Sequence, residues 1–139
     1  MIIEIIKHLH WLPVLLGAIG YFALGAVWYS FLFQKQWIAY NKIDMSNPEG
    51  KKGIGAIMFA SFILMFITSL ALASLVNING VWGWMGGIKL GLFTGVCFAS
   101  TSIGINMLYE KKPLGLFFIN AGYQVLGNVI TAIIIVLSI

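Results

Sequence analysis

Long apolar stretches alternate with short polar ones along the chain. No charged side chain occurs from His8 to Gln34, from Gly53 to Ile88, from Leu90 to Tyr109, or from Pro113 to Ile139. A helix rises about 1.5 Å per residue, so about 20 residues cross the hydrocarbon of a bilayer, and each stretch is long enough. Strands of a membrane barrel would alternate apolar and polar residues. These stretches are apolar continuously and predict helices. The predicted spans run about 11–33, 54–76, 86–109 and 114–138, within a single transmembrane domain of residues 1–139. The expected fold class is all-α: a polytopic membrane protein built as an antiparallel up-down bundle of four transmembrane helices. Short loops predict that each helix packs beside its neighbour in sequence.

The breaks between the stretches carry their own signals. Residues Met1 to His10 read as a short amphipathic lead-in. Pro13 falls in the first turn of span one, where its missing N–H costs little. The loop 34–53 is the longest, and its Trp37, Ile38 and Tyr40 suit the headgroup level. Ser46-Asn47-Pro48-Glu49 reads as a helix start, with a capping side chain, proline at the first helical position and an acid near the positive dipole end. Asn77-Ile78-Asn79-Gly80 predicts a turn, and Glu110-Lys111-Lys112-Pro113 a tight charged connection. The apolar run of span one exceeds the 7–15 residues of a signal peptide core. Trp28, Tyr29 and Phe31 replace the small residues of a cleavage site, so the helix is expected to be retained.

Composition agrees with burial in lipid. Of 139 residues, 60% are hydrophobic and 9% charged, against about 25% charged in a soluble domain. The net charge of +4 comes from eight lysines and no arginine. A nucleic-acid binder gathers its basic residues on one exposed surface; here they sit at span edges, where they set orientation. Loops 34–53 and 110–113 hold Lys35, Lys42, Lys51, Lys52, Lys111 and Lys112, against Lys7 and Lys89 on the other face. The lysine-rich loops are therefore expected to be cytoplasmic and both termini outside. Trp11, Trp82 and Trp84 would form the outer aromatic belt, and Trp37, Tyr40 and Tyr109 the inner one. Cys97 is alone in the chain, which excludes an intrachain disulfide and predicts a buried apolar thiol.

Two patterns stand out within the spans. In span three, Gly83, Gly87, Gly91, Gly95 and Ala99 recur every fourth residue. Residues four apart share a helix face, and side chains this small admit another backbone closely. The stripe is a packing device, either inside one subunit or between subunits. In span four, Asn120, Gln124, Asn128 and Thr131 share one face, and Ser102 and Asn106 offer a matching stripe on span three. Amides facing lipid are costly, so this polar face should point into the bundle or an oligomer. It serves either as interhelical hydrogen bonds or as the lining of a polar path or ligand site.

Weaker signals have plainer explanations. Glu4, His8 and His10 near the N-terminus form too small a set for a metal site, and no metal or cofactor is expected. Lys89 reads as a snorkelling ammonium at the edge of span three. Gly20-Tyr21-x-x-Leu24-Gly25 in span one echoes Gly122-Tyr123-x-x-Leu126-Gly127 in span four. The match is short and the composition biased, so coincidence is the expectation. The four acids, Glu4, Asp44, Glu49 and Glu110, are scattered over different loops. With no nucleophile motif or phosphate loop either, enzymatic chemistry is not expected.

Leu24-Gly25-Ala26-Val27-Trp28-Tyr29-Ser30, followed by Phe33-Gln34-Lys35-Gln36-Trp37, resembles the first-helix signature of a bacterial membrane family, domain of unknown function 1761. Ile105-Asn106-Met107-Leu108-Tyr109-Glu110 and Phe117-Phe118-Ile119-Asn120-Ala121-Gly122-Tyr123 resemble its last two helices. Gln34 stands where the pattern carries glycine. The resemblance implies a small multi-pass protein of the bacterial inner membrane, without an assigned activity or catalytic residues to carry over. The leading functional expectation is an oligomeric transporter or permeation unit for a small neutral or weakly polar solute. The alternatives are an accessory subunit of a larger membrane complex and a membrane enzyme binding a lipid or quinone. The expected partners are the bilayer and either further copies or a membrane protein.

Overall fold

A computed structural model describes residues 2–41 and 53–139. Lys42, Asp44, Lys51, Lys52 and the helix start expected at Ser46–Glu49 lie outside the described residues. Four helices are long and apolar enough to cross a membrane: span one, Trp11–Leu32; span two, Ile54–Asn79; span three, Gly83–Tyr109; and span four, Leu114–Ser138. Short helices at Ile2–Lys7 and Gln34–Asn41 flank span one.

Helix ends follow local chemistry, with one shift from expectation. Span two continues through Asn77 and Asn79 and turns only at Gly80, whose φ of 62° is left-handed. The Val81 N–H closes back on the Val76 carbonyl at 3.0 Å, the hydrogen bond of a glycine-terminated helix end. Asn79 bonds the Leu75 carbonyl through its own side chain, so the asparagines extend the helix where they were expected to break it. Span three then begins at Gly83, three residues before the predicted start at Gly86.

The packing order departs from the chain order. Span four is central and touches the other three, whereas spans two and three, joined by the Gly80–Trp82 turn, meet at few points. Small residues decide this. A Cβ placed on Gly87 would lie 3.1 Å from Ile133 backbone atoms, and one on Gly91 would lie 2.6 Å from the Val129 nitrogen. One on Gly95 would lie 2.7 Å from the Val125 Cα. The glycine face thus brings the backbone of span three against that of span four within one chain. Gly83, at φ 74° with open space around it, takes no part in this contact.

Both spans one and three contain a wide π-turn, at Trp28–Leu32 and Gly95–Ser100. In the first, the Phe33 N–H reaches the Trp28 carbonyl five residues back at 2.9 Å. In the second, one extra residue is accommodated: Gly95 faces Val125 and Gly104 faces Phe117, so nine positions on span three match eight on span four. A regular helix turns about 100° per residue, so the extra residue rotates everything beyond it. The face toward span four passes from Gly95 to Gly104 and Met107, which is buried. Ala99, Ser102 and Asn106 are carried off it; Ser102 and Asn106 are exposed. Cys97, expected to be buried, is also exposed, because it lies on the outer side of the same turn.

The core is dense at the end bearing the chain termini. Val14, Leu72, Ala73, Val76 and Ile135 form a sealed cluster there, with Val14 and Ile135 fully buried. Ser69 and Thr131 are buried beside it. The Ser69 hydroxyl donates to the Val14 carbonyl at 2.7 Å, and the Thr131 hydroxyl lies 3.5 Å from the Gly17 carbonyl. At the lysine-rich end span two leans away, and every residue from Gly53 to Ala60 is exposed. Among the described residues the bundle is tightly packed at one end and open at the other.

Candidate functional site

The opening is a chamber of about 720 Å³ at the lysine-rich end, walled by spans one, two and four and touched by Ile103 of span three. Its polar wall is built on the π-turn of span one and on contacts between tyrosines and glycines of spans one and four. Within the span-one π-turn, the Trp28 indole N–H donates to the Ile119 carbonyl at 3.0 Å. The adjacent Tyr29 hydroxyl donates to Asn120 Oδ1 at 2.8 Å. The wide turn offers consecutive residues to span four, so Trp28 and Tyr29 both reach it.

The Gly-Tyr-x-x-Leu-Gly echo, for which coincidence was the expectation, proves to be a reciprocal contact. The ring of Tyr21 lies over Gly127, where a Cβ would come within 2.8 Å of its Cδ1. The ring of Tyr123 lies over Gly25, where a Cβ would come within 2.8 Å of its hydroxyl. Each tyrosine therefore occupies the space that the other segment's last glycine leaves free. The two rings stack at a tilt, 5.5 Å apart. The Tyr123 hydroxyl donates to the Tyr21 carbonyl at 3.2 Å, with the Met65 sulfur 3.9 Å away. The Tyr21 hydroxyl donates to Gln124 Oε1. Tyr29 packs edge-on to Tyr123 at 5.2 Å and to Trp37 at 5.8 Å.

The polar face expected on span four is thus divided by depth. Asn128 and Thr131 lie in the sealed half. The Thr94 hydroxyl donates to Asn128 Oδ1 at 3.0 Å, and the Asn128 amide donates to the Gln124 carbonyl at 2.7 Å, so this pair ties span three to span four. Asn120 and Gln124 line the chamber. Tyrosine hydroxyls occupy their amide oxygens, while their N–H groups have no partner among the described residues and are not sealed in packing. Ser102 and Asn106 join neither group, for the rotational reason given above.

Sequence reasoning missed Tyr21, Tyr29, Tyr123 and Trp37 as chamber residues. The signal was present in the Trp28-Tyr29 motif and in the glycine-tyrosine echo, but each needed its partner segment to be read. The short helix Gln34–Asn41 roofs the site, with Trp37 on the chamber and Tyr40 against Gly115 of span four. Among the described lining residues none is charged. The wall can offer hydrogen-bond donors, aromatic faces and a thioether.

The model of the family described as protein of unknown function (DUF1761) matches residues 12–136. No curated protein and no solved structure matches the sequence.

Proposed function

The chain belongs to the DUF1761 family of proteins of unknown function, and from its geometry we propose that it holds a small uncharged amphipathic solute inside the membrane as a carrier. The observation that carries this reading is the chamber wall, where, among the described residues, the side-chain amides of Asn120 and Gln124 have N–H groups without a partner beside three tyrosines and no charged side chain. Clefts of roughly 300–1,000 Å³ with apolar walls and a few convergent polar groups are the usual form of small-molecule sites. Amide donors in an uncharged wall favour a ligand with acceptor oxygens and an apolar or planar body. The packed cluster of Val14, Leu72 and Ile135 blocks passage toward the end bearing the termini, as one state of an alternating carrier would.

The lysine distribution supports a cytoplasmic opening and outer termini, and the family resemblance supports a bacterial inner membrane. Association with further copies or another membrane protein would use the outer faces of the bundle, because the glycine stripe is taken by span four of the same chain. For the same reason a pathway within the chain is better supported than one between subunits.

Protein extracted in native nanodiscs tests the reading by mass spectrometry of the organic extract. A neutral oxygen-bearing molecule should be recovered in stoichiometric amount. Asn120→Leu with Gln124→Leu removes two donors, each worth about 0.5–1.5 kcal/mol, and should weaken retention by roughly 5- to 150-fold. The Ser102→Ala, Asn106→Leu pair should leave it unchanged. Equal retention by all three proteins would exclude the chamber.

A further inference from the structure

A second concavity shares no lining residue with the chamber. It is a groove of about 440 Å³ between the end of span three and the start of span four. Its walls are Met107, Leu108, Leu114 and Phe117, and Lys111 and Lys112 stand at its rim. We infer that this groove binds an anionic phospholipid, with the headgroup phosphate on Lys111 and Lys112 and an acyl chain along the apolar wall.

The turn that presents the lysines is unusual. Span three ends with the Lys112 N–H closing on the Met107 carbonyl at 3.0 Å, which requires a left-handed residue at position 111. That residue is lysine, with φ 56°, where glycine would carry no steric penalty. The conformation directs two consecutive ammonium groups to one edge of the bundle. Among the described residues neither lysine takes part in an ion pair, and both are exposed. Glu110 precedes them in the same turn but forms no ion pair with either among the described residues, so two ammonium groups remain to attract an anion, and phosphate groups are the anions at that depth.

The apolar wall makes the lipid, not a free phosphate, the occupant. Leu108 and Leu114 are largely exposed and continue the groove toward the hydrocarbon. The Phe117 ring lies on Gly104, where a Cβ would come within 3.1 Å of it, so the missing side chain lets the ring sit close to span three on the groove floor. A phosphate alone would leave this wall uncovered.

Native mass spectrometry of the full chain, released from mixed micelles, reads the site directly. With equal phosphatidylglycerol and phosphatidylcholine, wild type should retain one phosphatidylglycerol, preferred roughly thirtyfold, the effect of two lysines near a surface. Lys111→Gln with Lys112→Gln should remove that preference, and Lys7→Gln with Lys89→Gln should keep it. Leu108→Trp fills the groove without touching the charges and should also lose the lipid, which keeps the test informative if the double lysine variant misfolds. Preference surviving in the Lys111, Lys112 variant, or falling equally in the Lys7, Lys89 variant, would overturn the site. Full competition by soluble glycerol phosphate would overturn its assignment to a lipid. None of these outcomes depends on Asn120 or Gln124, so the chamber and the groove stand or fall separately.

Discussion

Alanine at Gly91 should loosen the contact between spans three and four by a predictable amount. Its Cβ would sit 2.6 Å from the Val129 nitrogen and 2.8 Å from the Asn128 carbonyl oxygen, against 3.4–4 Å for ordinary contact. The obstructing atoms, the Val129 Cα nearest of all, are backbone, so no rotamer change relieves the clash, and the helices must part by about 1 Å. A gap of that order forfeits a quarter to a half of each dispersion contact along the seam. It also stretches the Thr94–Asn128 hydrogen bond from its 3.0 Å. Overpacking of this kind costs about 1–3 kcal/mol, or roughly a 5- to 150-fold shift in the unfolding equilibrium. Reversible unfolding of purified protein in mixed dodecylmaltoside and dodecyl sulfate micelles would measure it. The cost should fall in the order Gly91→Ala, Gly95→Ala, Gly87→Ala, because the tightest backbone approach loosens in that order. Gly55→Ala is the control, with nothing within 4 Å of the new methyl, and should leave stability unchanged or slightly raised. If Gly91→Ala matched wild type, or if Gly55→Ala cost as much, the close contact within one chain would be wrong.

Two further outcomes follow from the seam. Deleting Cys97 should convert the π-turn of span three into a regular turn and keep both flanking contacts, at a cost of about 1 kcal/mol or less. Deleting Leu92 should rotate the rest of the helix by about 100° and cost about 4 kcal/mol or more, read in the same unfolding assay; equal effects would refute the extra-residue account. A double-mutant cycle of Thr94→Val and Asn128→Leu should give a coupling of about 0.6–1.7 kcal/mol, the range for hydrogen bonds between membrane helices, and additive behaviour would remove the bond from the stabilising set.

The candidate site was half legible in the sequence. Asn120, Gln124, Asn128 and Thr131 share a face of one helix, and a single helix carries that information. Which of them line a chamber depends on where span two parts from spans one and four, a property of three helices at once. Ser102 and Asn106 do not join the span-four face within the chain, because counting by fours assumes an unbroken turn and the π-turn at Gly95–Ser100 adds a residue. Tyr21 and Tyr123 belong to a sequence echo, but the seating of each ring on the other segment's glycine exists only where spans one and four meet.

The sequence by itself determined the helices and their approximate limits. Transfer into hydrocarbon is a sum over the local residues of each segment, and the charge-free stretches announce it without reference to any neighbour. Tertiary structure alone decided the order of packing. Lipid tails are as apolar as leucine, so no hydrophobic force distinguishes one helix neighbour from another. The choice falls to close backbone approach and a few hydrogen bonds, and these exist only once two faces meet. That is why span three packs on span four instead of span two.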